Sequence, residues 1–142
     1  DTDITAQIRA PQISMLASAV SARPVVRAFL LATQRALAAH KAVVAEGRDM
    51  GTVVFPQAEA KFFLDADAGI RARRRYEELN SPAGIGPCLT TVETEMRQRD
   101  RNDATRAVAP LQPAADAVRV DSSRLSLAQV VELMLRHIAQ IR

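Results

Sequence analysis

Two short apolar runs, Val43-Val44-Ala45 and Phe62-Phe63-Leu64, sit between glycine- and proline-marked turns in the middle of the chain. Each is too brief for a helix and rich in branched or aromatic residues, so both read as strands buried on two faces. A third run, Val118–Asp121, follows the proline-marked loop APLQPAADA and reads the same way. Elsewhere the apolar positions recur at helical spacing. Pro11 suits a first turn, with Ile13, Leu16, Ala17 and Val20 following on one face. Pro24 opens a second helix with Val26, Phe29, Leu30 and Leu37 on its stripe; it ends near His40, where an imidazole favours the helix dipole. Asp67 reads as the N-cap of a third helix. Its stripe is Ala68, Ala72, Tyr76 and Leu79, while Arg71, Arg73, Arg74 and Arg75 wrap the remaining surface. NSPAGIGP, residues 80–87, is a flexible connector. A helix resumes at Thr90, where Thr90 and Glu93 predict a capping box and Leu89, Val92 and Met96 face inward. The last helix has the strongest signals. Ser126 and Gln129 form a capping box, Leu125 staples onto Val130, and Val130, Met134, Ile138 and Ile141 make the buried stripe, with His137 solvated on the flank. Strands alternating with helices predict α/β layers around a parallel sheet.

Composition narrows this picture only a little. At 142 residues, 48% hydrophobic and 25% charged, the chain suits one soluble globular domain or part of one. No apolar run approaches the roughly 20 residues of a membrane span, and no signal peptide opens the sequence. A single cysteine, Cys88, excludes an internal disulfide framework and suits a reducing cytoplasm; between Pro87 and Leu89 it reads as a plain small side chain. Lys41 and Lys61 are the two lysines against 17 arginines. Arginine's planar fork matches phosphate, although a GC-rich coding sequence gives the same bias. No His, Cys or carboxylate cluster has metal-ligand spacing, and no nucleophile-base pair suggests covalent catalysis.

Candidate chemistry concentrates at the end of the first strand, in Glu46-Gly47-Arg48-Asp49-Met50-Gly51-Thr52. In open α/β sheets this edge is where ligands bind. Arg48 can fork onto a phosphate and Asp49 can accept from a base or sugar, whereas a solvated ion pair is the plain alternative. The surrounding string decides between them. EGRDMGTVVFPxA followed by KFFLDA closely resembles the monophosphate-binding core of bacterial cytidylate kinase. The likeness continues in register through IRAPQIS, RARRRY, RDRNDATRAVAPL, PAADAVRVDSS and LSLAQVV, covering nearly all of the chain.

This resemblance implies a partial P-loop nucleoside monophosphate kinase fold of α/β class, a parallel sheet flanked by helices. Residues 1–142 would be the C-terminal part of one domain. Within it, 1–40 belong to the monophosphate-binding region and its following helix, and 41–66 carry core strands and the GRD loop. Residues 67–106 form a lid-type arginine-rich region, and 107–142 the last core strand and helix. The implied reaction moves the γ-phosphoryl of ATP, carried with Mg²⁺, to CMP or dCMP, in the cytoplasm and within pyrimidine metabolism. By resemblance Ser18, Arg27 and Asp49 read the base, Arg48 and Arg106 hold the phosphate, and Arg99 and Asp103 meet the pentose. Arg74 and Arg75, with Arg71 behind them, correspond to lid arginines that close over the transferring group. Gln57 replaces the family's usual Asp, with a surface effect only.

The family's ATP cradle, G-x-x-x-x-G-K-S/T, has no counterpart among the five glycines of this chain. The expectation is therefore a C-terminal portion whose partner is the missing N-terminal P-loop segment, with no membrane and no nucleic acid involved. A non-catalytic nucleotide- or nucleic-acid-binding fragment is the alternative, since a basic helix can follow a nucleic-acid backbone. With aromatics at 4% and Tyr76 alone in the basic patch, stacking on single strands has little to work with. The isolated chain is expected to be poorly stable, to associate through unpaired strand edges, and to make no CDP from CMP and ATP. A coupled ADP-release assay on the purified monomer checks this, and steady turnover there contradicts it.

Overall fold

The structure, a computed structural model, describes residues 2–8, 11–39, 42–80 and 86–141. His40 and residues 81–85 of the connector lie outside the described residues. Helices α1 (Thr5–Ile8), α2 (Pro11–Ser21) and α3 (Pro24–Ala38) precede a single π-type turn at Met50–Val54. Strand β1 (Phe62–Asp65), helices α4 (Ala68–Asn80) and α5 (Leu89–Thr105), strand β2 (Val118–Asp121) and helix α6 (Leu127–Ile141) follow.

The two strands pair in parallel, with Phe62 opposite Val118 and Asp65 opposite Asp121. Parallel neighbours need a crossover, and here the α4–α5 hairpin supplies it. Ala72 of α4 and Val92 of α5 are buried, and small side chains there let the two helices approach closely. Across the same hairpin Arg71 Nη1 donates to Asp100 at 2.6 Å. The buried apolar residues are compact: Val54, Ala66, Ala72, Val92, Val120 and Val130. On the opposite sheet face Arg119 lies over the Phe63 ring at 5.9 Å, a cation–π contact.

Local signals at two helix starts are realised. Asp67 Oδ1 accepts from the amides of Gly69 and Ile70 at 2.9 and 3.2 Å. At α6 the Ser126 amide donates to Gln129 Oε1 at 2.8 Å, and the Gln129 amide donates back to Ser126 Oγ at 3.3 Å. Six expectations need correction. Strand β1 is not buried on two faces, since Leu64 is exposed and none of its residues is buried, and Ile141 of the expected α6 stripe is exposed. Residues 42–46 form no strand, and Val44 is fully exposed, because no strand among the described residues lies beside them to complete a ladder. Helices α2 and α3 form where expected, but their apolar stripes stay largely uncovered: α3 buries no residue and Phe29 is 73% exposed. His137 is half-buried, edge-on to Phe62 with ring centroids 5.5 Å apart. Helix α5 starts one residue before Thr90, and Glu93 pairs with Arg97 at 2.6 Å instead of closing a box. No single described helix is long and apolar enough to cross a membrane.

Cys88 takes the N-cap position of α5, and this changes its chemistry. The hydroxyls of Thr90 and Thr91 stand 3.1 Å from its sulfur. Bonding from Thr90 first and Thr91 second holds the thiol at about 7, below its ordinary 9.0. The thiolate is the reactive form, so alkylation by iodoacetamide should accelerate as pH rises through about 7 and level off above it. Replacing Thr90 and Thr91 by Val should move that midpoint back toward 9.0, and an unmoved midpoint removes the hydroxyls as the cause.

Candidate functional site

One carboxylate collects most of the predicted residues. Asp103 lies near the end of α5 and is 3% exposed. Its Oδ1 accepts from Ser18 Oγ of α2 at 2.9 Å, and its Oδ2 accepts from Arg48 Nε at 3.0 Å. One turn earlier on the same helix, Arg99 Nε stands 3.7 Å from Oδ2. Just beyond the helix end, Arg106 Nη1 stands 3.9 Å from Oδ1. The backbone is tied as well, with the Leu111 amide donating to the Asp103 carbonyl at 2.7 Å. Ala109 adopts a left-handed φ of 51°, which turns its carbonyl to accept from Arg106 Nε. A side chain is strained there, and the arginine contact accompanies that strain.

A second pair stands beside the first. Asp49, also buried, caps the π-type turn, and Arg27 of α3 donates to its Oδ2. Arg27 is steadied by a bond from Nη1 to the Ser21 carbonyl at 3.2 Å. The turn exists because Val54 and Phe55 donate five residues back, to the Asp49 and Met50 carbonyls at 3.2 and 2.7 Å. Turns of this kind occur mostly singly and often at functional sites. Arg35 of α3 donates to the carbonyls of Val54 and Val53 at 3.0 and 2.7 Å. Sequence reasoning passed over Arg35, since one arginine on a helix otherwise read by its apolar stripe carries no motif.

Cationic charge is in excess here. Arg27, Arg48, Arg99 and Arg106 face Asp49 and Asp103, four positive groups against two negative. Burial is the main influence holding the Arg106 guanidinium below its ordinary range. Arg27 and Arg48 act in the same sense, and Asp103 and Asp49 oppose it. Burial likewise lowers Arg99, followed by Arg48. Two donors, Arg99 Nε and Arg106 Nη2, are buried without a hydrogen-bond partner among the described residues. A buried guanidinium N–H without an acceptor is costly, so an anion with several oxygens suits this place. A cavity of about 260 Å³ opens beside Asp103 and Arg106, bounded by Met15, Ser18, Ala22 and Asn102. Among the described residues no three His, Cys, Asp or Glu side chains are grouped to hold a metal ion.

The arginines of α4 fall differently. Arg74 reaches Ser122 at the end of β2, bonding its Oγ at 3.1 Å and its carbonyl at 2.7 Å. Ser122 Oγ in turn donates to the Asp65 carbonyl at 3.0 Å. Arg71 bonds the Ala66 carbonyl at 3.0 Å as well as Asp100. Arg75 pairs with Glu78 at 2.8 Å, yet is near enough to lower Arg99. Ser18, Arg27, Arg48, Asp49, Arg99, Asp103 and Arg106 thus converge, Arg75 stands at their margin, and Arg74 is occupied elsewhere.

Removing the shared carboxylate tests this arrangement. Asp103→Ala leaves three arginines facing one another with a buried Ser18 hydroxyl unpaired, and should cost about 3 kcal/mol in urea unfolding. Asp103→Asn, which keeps an acceptor, should cost less. A loss below about 1 kcal/mol for the alanine variant shows that the arginines do not depend on it.

Known proteins resemble the chain over the same residues. The cytidylate kinase family profile matches residues 1–140. A cytidylate kinase of Oleidesulfovibrio alaskensis is 50% identical over 129 residues, 91% of this chain and 58% of that protein. One from Pseudomonas fluorescens strain SBW25 is 50% identical over 137 residues, 96% of this chain and 59% of that protein. A third, from Vibrio cholerae, is 48% identical over 136 residues and is covered to 60%. The chain therefore spans somewhat under two thirds of the length of the curated relatives it matches. With a parallel β-pair joined through a helical hairpin and an arginine cluster around Asp103, matched by a family profile along almost its whole length, the chain belongs to the cytidylate kinase family.

Proposed function

We propose that the chain carries the acceptor site of a nucleoside monophosphate kinase, taking CMP or dCMP as the group that receives a phosphoryl from ATP. The observation that carries this reading is the pair of buried donors on Arg99 and Arg106 that have no hydrogen-bond partner among the described residues, within a cluster of net positive charge. A nucleoside monophosphate offers acceptors to both, phosphate oxygens to Arg106 and pentose hydroxyls to Arg99, and its dianion balances the excess of two positive charges. Arg106 and Arg48 are the groups for the phosphate. Asp49, oriented by Arg27, can accept from the cytosine amino group, and Ser18 would join it in reading the base. Arg99 and Asp103 are left for the pentose.

Phosphoryl transfer requires positioning and charge stabilisation more than covalent work by the protein. ATP brings Mg²⁺ and the leaving diphosphate. On this chain, Arg106 and Arg48 would hold the attacking phosphate oxygens in line and stabilise charge as the bond forms. Arg75 would reach that group only by leaving Glu78, and Arg74 only by leaving Ser122. Arginine contacts made late in this way contribute to turnover rather than to monophosphate affinity.

Calorimetric titration tests the acceptor site directly. CMP should bind more tightly than UMP, and Arg106→Ala should weaken CMP about tenfold or more, as expected for a lost charge-assisted bond. Asp49→Ala should weaken CMP while leaving inorganic phosphate unaffected. CMP binding no tighter than inorganic phosphate contradicts the reading.

A further inference from the structure

We propose that Arg35 is a positioning residue for base recognition, acting on Asp49 through the π-type turn that Asp49 caps. The inference rests on the acceptor-site reading above, but its structural basis is separate. Helix α3 holds this turn at two points. Arg27 grips the Asp49 carboxylate at the start, and Arg35 grips the carbonyls of Val53 and Val54 at the end. The two arginines are eight residues apart, roughly 12 Å along a helix axis. Between their grips the turn closes on itself, because the amides of Val53 and Val54 both donate to the Asp49 carbonyl, at 2.9 and 3.2 Å. Of the two peptide units that Arg35 holds, the Val53–Val54 unit is therefore bonded through its amide to Asp49, the residue that Arg27 holds, and the Val54–Phe55 unit is bonded to Met50.

Such a turn needs an outside tie. Two of its hydrogen bonds, from Val54 and Phe55, are five residues long, and the carbonyls at a helix end have no partner of their own. A guanidinium with two N–H groups directed at two successive carbonyls meets that need and complements the negative end of the turn. Val54 is buried, so the turn cannot rotate about that residue without opening the core. With Arg35 bonded, the backbone of Asp49 has one orientation, and its carboxylate faces Arg27 with no further adjustment. Without Arg35 the turn is free to release the five-residue bonds of Val54 and Phe55 and keep only the four-residue bond of Val53, which leaves Asp49 less firmly placed. Arg35 itself is solvent-exposed and touches neither Asp103 nor the cavity beside it, so any effect on a ligand passes through the turn.

The test uses the 142-residue chain, its Arg35→Ala and Arg35→Lys variants, and two ligands. CMP carries a base, whereas ribose 5-phosphate carries only the sugar and phosphate. Arg35→Ala should weaken CMP about fivefold and change ribose 5-phosphate by less than about twofold, with Arg35→Lys intermediate for CMP. Unchanged CMP binding, or equal weakening of both ligands, overturns the proposal. Amide hydrogen exchange gives a readout independent of any ligand. In Arg35→Ala the amides of Val53, Val54 and Phe55 should exchange about fivefold or more faster, with α5 unaffected. A wild-type chain that takes neither ligand contradicts the acceptor-site reading; faster exchange at 53–55 then still supports the clamp, and unchanged exchange overturns it.

Discussion

A buried carboxylate surrounded by arginines governs how this chain comes together. Asp103 cannot sit in a low-dielectric position unless its charge is met, and the arginines around it cannot crowd together unless something separates them. Each requirement answers the other. Ser18 brings α2 to the carboxylate, Arg48 brings the loop before the π-type turn, and Arg99 comes from α5 itself. Arg106 comes from the strained turn at Ala109. The balance is incomplete: cationic charge is left over, and two donors have no hydrogen-bond partner among the described residues.

The rest of the fold presents these groups with a modest apolar core. Small buried residues let α4 and α5 lie close, and the hairpin then carries the chain between parallel strands. Arg71 and Arg74 fasten α4 to the ends of β1 and β2 through Ala66 and Ser122, and Arg71 also reaches Asp100 of α5. Helix α3 shows the opposite balance. It buries none of its residues, and what fixes it to the loop are the polar contacts of Arg27 and Arg35. Electrostatic ties do here the work that apolar burial does at the α4–α5 interface.

Local chemistry was the part most readable from the sequence. The Asp67 cap and the Ser126–Gln129 box bond within three residues, so neighbouring positions contain the whole interaction. Helix α5 begins one residue before Thr90 because Cys88 takes the N-cap position without a side-chain cap bond, and such a start leaves no signal beside a Thr-x-x-Glu pattern. Motif strings named the candidate residues, yet Arg35 carried no motif at all. Its role depends on carbonyls 18 and 19 residues away.

By itself the sequence determined helices α2 to α6, the two strands that pair, and the chemical types of the candidate residues, but neither the short helix α1 nor the π-type turn. It could do so because periodicity and capping are properties of short windows. Tertiary structure alone decided which of those groups meet. The Ser18 and Arg48 contacts with Asp103 span 85 and 55 residues, distances over which no local pattern constrains the chain. It also decided that Val43-Val44-Ala45 is not a strand, since a strand is defined by the neighbour that completes its hydrogen bonds. And it assigned Arg74 to Ser122, because a long guanidinium goes to whichever acceptors the packed elements bring within reach.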